Sequence, residues 1–312
     1  MKILINWLGA FWFAIAYHLG KNNPEIQFDW WDINQEILKK LETSRQHPYF
    51  FEDAKLPHNI NILHSQPKRD SYDILLNVIP AQFIKNWAQQ VWNNIKSWAI
   101  IVNLAKGIDN QHLKLPFEII KQHIGIPLKY GALWGGMIAQ ELVEQKPLGA
   151  DIGIASKDSY KTLANLFENE NLQINYLPDP AQVELGWSLK NIIALWIGYR
   201  EGQGLQASSL GKYLIEIILE VQQLAKQFFK VDIKFESYSF GGDIVATAFG
   251  NSRNRLMGKL VGEGKSSLEA IQILKSQKKH AEGWETLKGF KKLIYQNSQF
   301  PILNQMIKLF EV

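Results

Sequence analysis

The 312-residue chain contains no cysteine. That excludes disulfides, thiolate metal sites, iron–sulfur clusters and thiol nucleophiles together. Charge of one sign is also scarce: 34 Lys and Arg against 30 Asp and Glu leave a net +4, far from the basic stripe of a nucleic-acid binder. The lysines at 275–279 and 288–292 read as solvated helix faces. Long apolar runs are missing, since 192–198 and 214–219 fall well short of the ~20 residues a membrane span requires. The N-terminus enters an apolar run without a small-residue cleavage site and reads as a strand and helix, so a soluble cytoplasmic chain is expected. The seven His residues form no i,i+4 or H-E-x-x-H pair, and no P-loop or G-x-S-x-G occurs. Neither a resident metal nor a hydrolase is expected.

What is present suits a folded enzyme. With 46% hydrophobic and 21% charged residues, the chain is long enough for two domains, each with its own interior. Short β-branched runs at 2–6, 26–30, 73–79, 99–104, 128–133 and 151–155 alternate with helical patterns at 10–19, 34–42, 82–94 and 116–124. This alternation predicts βαβ units and a mostly parallel sheet, which binds ligands at the carboxyl ends of its strands. The prolines of Tyr176-Leu177-Pro178-Asp179-Pro180 mark a linker. Beyond it helical periodicity dominates, at 184–198, 210–229, 243–249, 267–277, 281–296 and 302–310. The expected fold is an α/β Rossmann-like parallel-sheet domain over 1–178 followed by an all-α domain over 179–312.

A strand opening into a helix is where a G-x-G-x-x-G dinucleotide fingerprint would lie. Here the segment is Trp7-Leu8-Gly9-Ala10-Phe11-Trp12, with Gly9 the one glycine before Gly20. Asp29, about 20 residues on, either contacts a ribose or is the aspartate commonly found at a strand end. Three weaker signals lie downstream. Lys190 sits inside a very apolar helix, either snorkelling to solvent or facing a cleft; taken alone, snorkelling is favoured. Asp243 follows the flexible pair Gly241-Gly242, with Thr247 one turn later on the same face; it is either a site residue or a helix N-cap. Ser252-Arg253-Asn254-Arg255, between helices, offers a guanidinium and neighbouring donors suited to a phosphate, or makes a capped surface turn.

In order and spacing these pieces resemble the NAD(P)-dependent glycerol-3-phosphate dehydrogenases, nearly end to end. The family's E-L-x-x-x-L-K-N-[IV] is similar to residues 184–192, its G-D-[IL]-x-x-T to 242–247, and its S-R-N to 252–254. Its [TS]-K-G-I is similar to Ala105-Lys106-Gly107-Ile108, and its V-P-[SA]-Q to Ile79-Pro80-Ala81-Gln82. The resemblance implies reversible hydride transfer between dihydroxyacetone phosphate and sn-glycerol 3-phosphate in a homodimer. It makes Lys190 the general acid/base at the substrate C2 oxygen, with Lys106 and Asp243 organising that site. It assigns the small phosphorylated substrate to Lys106, Gly135, Asn191, Thr247, Ser252, Arg253 and Asn254. The cofactor falls to Gly9, Ala10, Phe11, Trp31, Pro80, Lys106, Ala139, Arg253 and Glu282.

The departures concentrate in the first domain. The first and third glycines of the family's G-[AS]-G-[SA]-W-G are Trp7 and Trp12. Tryptophan lacks glycine's backbone freedom, and its ring must occupy volume. Trp31 stands where an NADP-favouring arginine would lie, so NAD is expected over NADP. The family's S-G-P-[ST]-F-A-x-E maps onto Trp134-Gly135-Gly136-Met137-Ile138-Ala139-Gln140-Glu141. Of eleven tryptophans, Trp7, Trp12, Trp30, Trp31 and Trp134 fall by alignment around the cofactor groove, and the other six read as helix-face packing residues. Three functions fit this pattern. One is an active dehydrogenase using a modified turn; another is a non-catalytic relative whose aromatics fill the groove, binding a phosphate ligand or a partner. The third is a dehydrogenase of another phosphorylated hydroxy compound.

Overall fold

A computed structural model describes residues 1–312 apart from 7–8, 33, 69–70, 78–80, 92–95, 106, 111 and 124–128, with backbone alone at 81–83 and 90–91. The chain divides into two compact units. One comprises Met1–Lys106 and Pro116–Pro180; the other comprises Gly107–Leu115 and Ala181–Val312.

The first unit is built on an eight-stranded sheet. Its strands are β1 (Ile3–Asn6), β2 (Phe28–Trp31), β3 (Ile60–Leu63), β4 (Ile74–Asn77), β5 (Ile100–Asn103), β6 (Lys129–Gly135), β7 (Leu148–Ile154) and β8 (Leu172–Leu177). They lie in the order β3-β2-β1-β4-β5-β6-β7-β8. All neighbouring pairs are parallel except β6 and β7. The central strands read ILIN, ILLN and IIVN and are buried at every position, because a parallel sheet covered on both faces leaves no wet side for alternation. The strand order reverses between β1 and β4, which makes their carboxyl ends the switch point at which such sheets bind ligands.

Helices cover the sheet: α1 (Ala10–Asn22), α2 (Gln35–Ser44), α3 (Ala81–Val91), α4 (Pro116–His123), α5 (Ala139–Val143) and α6 (Lys157–Phe167). Sequence chemistry sets several starts. Asn34 caps α2 by accepting from the Glu36 and Ile37 amides at 3.2 Å, and Ser156 caps α6 through the Ser159 amide. One face of the sheet buries Leu4, Leu75 and Ile101 against Ile84, Trp87, Ala88, Ile119 and Ile120. His18 of α1 is tied to α6, its Nε2–H donating to the Phe167 carbonyl at 2.6 Å, and burial lowers its proton affinity.

The second unit is helical: α7 (Pro180–Gly202), α8 (Ala207–Leu224), α9 (Arg253–Gly262), α10 (Ser267–Ser276), α11 (Glu282–Ile294) and α12 (Pro301–Leu309). Wider, π-type turns occupy Ala225–Phe229, Tyr238–Gly242 and Val245–Phe249. Helix α7 is apolar nearly all round, and residues 192–197 are fully buried, as expected of a central helix. Its neighbours approach it backbone to backbone. A Cβ on Gly198 would overlap the Arg255 carbonyl, and a Cβ on Gly258 or Gly262 would overlap the Leu195 or Tyr199 carbonyl. Glycine is therefore required along the α7–α9 crossing for close approach. Among the described residues no helix is long and apolar enough to cross a membrane.

Several expectations are corrected. The strands at 60–63 and 172–177 are additional, and both lie at sheet edges. Gly241 and Gly242 are not a hinge into a helix at 243. They lie inside a helical run beginning at Tyr238, where a Cβ on Gly241 would overlap the Phe235 carbonyl. Trp30 belongs to the sheet interior, fully buried, rather than to a groove. Trp98 is 63% exposed in a turn at φ 68°, not on a helix face. Trp7 lies outside the described residues.

Candidate functional site

In the helical unit, α7 carries Lys190 and Asn191 as consecutive residues. The Lys190 Nζ forms an ion pair with the Asp243 Oδ2, and both side chains are 5% exposed. Lys190 does not snorkel, because α7 is buried on all sides and offers no route to water. Asp243 is not an N-cap; it follows the π-type turn at Tyr238–Gly242 and sends its carboxylate to the lysine. The Thr247 hydroxyl donates to the other carboxylate oxygen, Oδ1, at 3.3 Å, bracing it across one helical turn.

Asn191 leads a second network. The Asn254 Nδ2 donates to the Asn191 Oδ1 at 2.9 Å, while the Gly283 amide donates to the Asn254 Oδ1 at 2.8 Å. Gly283 has no room for a side chain, since a Cβ would overlap the Asn191 carbonyl. Three helices, α7, α9 and α11, are thus joined at one point. Ser252 caps α9 by accepting from the Arg255 amide at 3.2 Å. That puts Arg253 and Asn254 in the first turn of α9 rather than in a loop between helices. The Arg253 guanidinium lies 3.6 Å from the Glu282 carboxylate, at 46% and 37% exposure. A pair so exposed contributes only about 0–1 kcal/mol, so the guanidinium is readily given up to an anion. Arg255 instead closes the fold, donating to Glu201 at 2.7 Å and to the Phe249 and Gly250 carbonyls at 3.1 Å.

In the sheet unit, Gly9, Ala10 and Phe11 lie where β1 passes into α1. The Gly9 carbonyl accepts from the Trp12 and Phe13 amides at 3.1 Å. Helix α1 has no side-chain cap among the described residues and no acidic residue in its first turn. Its first amides point outward without an intrahelical acceptor, which suits a phosphate. The residues present therefore fit a dinucleotide at this strand end, despite two lost glycines. The Trp12 indole is 4% exposed and lies 3.6 Å from where a Gly9 Cβ would be. Phe11 packs edge-on to Trp12 at 5.6 Å and against Trp134 at 4.6 Å between ring centroids.

Trp31 ends β2, partly buried. Asp29 sits two residues earlier, accepting from Asn61 at 2.8 Å and the Tyr72 hydroxyl at 2.7 Å. Gly135 ends β6 opposite Ala150, and a Cβ there would overlap the Gly149 carbonyl. Ala139 begins α5. Pro80 and Lys106 lie outside the described residues.

Two features are not evident from motifs alone. Gly198/Gly202 on α7 and Gly258/Gly262 on α9 each show the G-x-x-x-G spacing of a close helix crossing, and that spacing is a signal the sequence does carry. The second is a row of asparagines: β1, β4 and β5 each run three aliphatics and then Asn6, Asn77 or Asn103.

Comparison with known proteins places the chain in a family. Residues 3–161 match the family model for the NAD-dependent glycerol-3-phosphate dehydrogenase N-terminus, and 179–311 match that for its C-terminus. A Staphylococcus epidermidis protein named glycerol-3-phosphate dehydrogenase [NAD(P)+] is 29% identical over 318 residues, covering 99% of this chain and 94% of its own. The Plasmodium falciparum glycerol-3-phosphate dehydrogenase structure superposes with a TM-score of 0.89 at 24% identity, covering 99% of this chain and 91% of that one. The Saccharomyces cerevisiae glycerol-3-phosphate dehydrogenase structure gives 0.84 at 21% identity, covering 100% and 99%. The chain belongs to the NAD-dependent glycerol-3-phosphate dehydrogenase family.

Proposed function

We propose that this chain is an active dehydrogenase interconverting dihydroxyacetone phosphate and sn-glycerol 3-phosphate, preferring NAD to NADP, and working as a cytoplasmic homodimer. The buried Lys190–Asp243 ion pair carries this reading. Burying two charges is costly, and apolar replacements of similar volume are often neutral or stabilising. A relative that had lost the reaction would have no chemical use for the pair.

Reduction of a ketone needs a proton at the forming alkoxide, and oxidation of the alcohol needs it removed. Lys190 carries a transferable proton, Asp243 orients the amine, and Thr247 holds the carboxylate in place. Arg253 is the phosphate anchor, its planar fork matching phosphate oxygens and its partner Glu282 being weakly held. Asn254 spends its carbonyl and one N–H on neighbours and so serves chiefly to fix Asn191. Asn191 retains its own N–H donors for substrate oxygens. Gly9, Ala10 and Phe11 would hold the dinucleotide diphosphate at the α1 N-terminus. When bound, the nicotinamide supplies the hydride donor or acceptor.

The test uses the intact protein. NADH and then NADPH are titrated by quenching of tryptophan emission, and dihydroxyacetone phosphate reduction is assayed with each. Lys190→Ala should lose turnover and keep NADH affinity. A fully active variant, or wild-type protein with neither quenching nor turnover at millimolar cofactor, would overturn the proposal.

A further inference from the structure

Three polar side chains stand in one line at the carboxyl ends of three otherwise aliphatic strands, β1, β4 and β5. Asn77 pairs in register with Asn103. Ile5 pairs with Leu76, so the same register brings Asn6 opposite Asn77. Side chains in register on parallel strands point to the same face. The row continues to Trp31 on one side, opposite Asn6, and to Ala132 on the other, opposite Asn103. Asn6, Asn77 and Asn103 are 2%, 0% and 2% exposed.

Asn103 is locally engaged, since its Oδ1 accepts from the Ala105 amide at 3.1 Å and turns the chain after β5. Asn6 and Asn77 differ. Neither the nitrogen nor the oxygen of either amide has a hydrogen-bond partner among the described residues. Buried amides without partners are costly, and an aliphatic residue would continue each strand at no such cost. Their position is the β1/β4 switch point, one strand-end away from the uncapped N-terminus of α1. Here the glycine fingerprint is reduced to Gly9, so fewer backbone amides can approach a diphosphate.

We propose that Asn6 and Asn77 are dinucleotide-binding residues. Their amide N–H groups donate to the diphosphate and their carbonyls accept from the adjoining ribose hydroxyls, supplying through side chains part of what the glycine-rich turn supplies through backbone. The inference rests on the cofactor reading above, and it treats the unspent amides as a site kept for ligand at the expense of apo stability.

Asn6→Val and Asn77→Val, with Asn77→Ala as a smaller variant, provide the test. NADH affinity is measured by tryptophan quenching, and thermal stability is measured without ligand. Each variant should bind NADH at least tenfold more weakly while its Tm without ligand stays equal or rises. Unchanged NADH affinity would overturn the inference. Loss of affinity together with a lowered Tm in all three variants would also overturn it, marking the amides as structural. If wild-type protein itself fails to bind NADH, the proposed function falls with it; if wild type binds and the variants bind equally, only this inference falls.

Discussion

Replacing one partner of the Lys190–Asp243 pair is expected to be far more harmful than replacing both. Lys190→Met leaves the Asp243 carboxylate at 5% exposure without its cation, and Asp243→Leu strands the ammonium in the same interior. Removing one member of a buried pair costs about 3–5 kcal/mol. Against a total stability of about 5–15 kcal/mol for a domain, that is a large fraction. The double variant carries no buried charge and puts two apolar chains of similar volume into the same space, so it should recover most of the loss. The coupling between the sites should therefore reach at least about 2 kcal/mol, within the range seen for contacting residues. Urea denaturation gives the three stabilities, provided the m-value stays constant across the set. Activity should vanish in all three, which separates stability from chemistry. Additive single-variant losses, with coupling below about 0.5 kcal/mol, would refute the reasoning, because they would mean that the two groups do not depend on each other.

Other consequences follow from the packing and from two displaced titrations. Gly258→Ala forces a methyl against the Leu195 carbonyl, so it should lower stability by about 1–3 kcal/mol and weaken substrate affinity through Asn254; unchanged denaturation would show that α7 and α9 can part freely. Burial lowers the proton affinity of His18. Its neutral form then stabilises the fold above about pH 6.5 and this contribution is lost as the pH falls, so His18→Gln should flatten the loss of stability between about pH 7 and about pH 5. Burial raises the proton affinity of Glu220, opposed by the Leu303 and Ile302 amides that its carboxylate accepts at the start of α12. The neutral form's contribution is complete below about pH 4.3 and is lost as pH rises through the displaced value. Glu220→Gln should remove that downward slope, and an unaltered slope would assign it to another group.

The sheet was legible where its chemistry was extreme. The aliphatic cores of β1, β4 and β5 marked buried parallel strands, and Pro178 and Pro180 marked the passage to the helical region. Edge strands β3 and β8 were not legible, because Asn61, Gln173 and Asn175 interrupt their apolar runs with residues that face outward or lie only partly buried. In the site, residue types and spacing located Lys190, Asp243, Thr247 and Ser252–Asn254, but not their contacts. Lys190 reads as a snorkelling lysine until α7 is known to be covered on every side. Asp243 reads as a cap until the run from Tyr238 is seen to be already helical. Joining Asn191, Asn254 and Gly283 needs three helices at backbone contact, and that depends on glycine pairs distant from the motifs themselves. The tryptophan excess divides by place: Trp30 fills the sheet interior, Trp98 faces water, and Trp12 and Trp134 pack around Phe11 beside the first turn of α1.

The central claim is that this chain moves a hydride between carbon 2 of sn-glycerol 3-phosphate and a nicotinamide. The most direct measurement supplies sn-glycerol 3-phosphate deuterated at carbon 2 together with unlabelled NAD, and examines the reduced cofactor by mass spectrometry. Deuterium in the NADH formed by wild-type protein, and none with Lys190→Ala, is the expected result. Unlabelled cofactor after exhaustive incubation with wild-type protein would contradict the account.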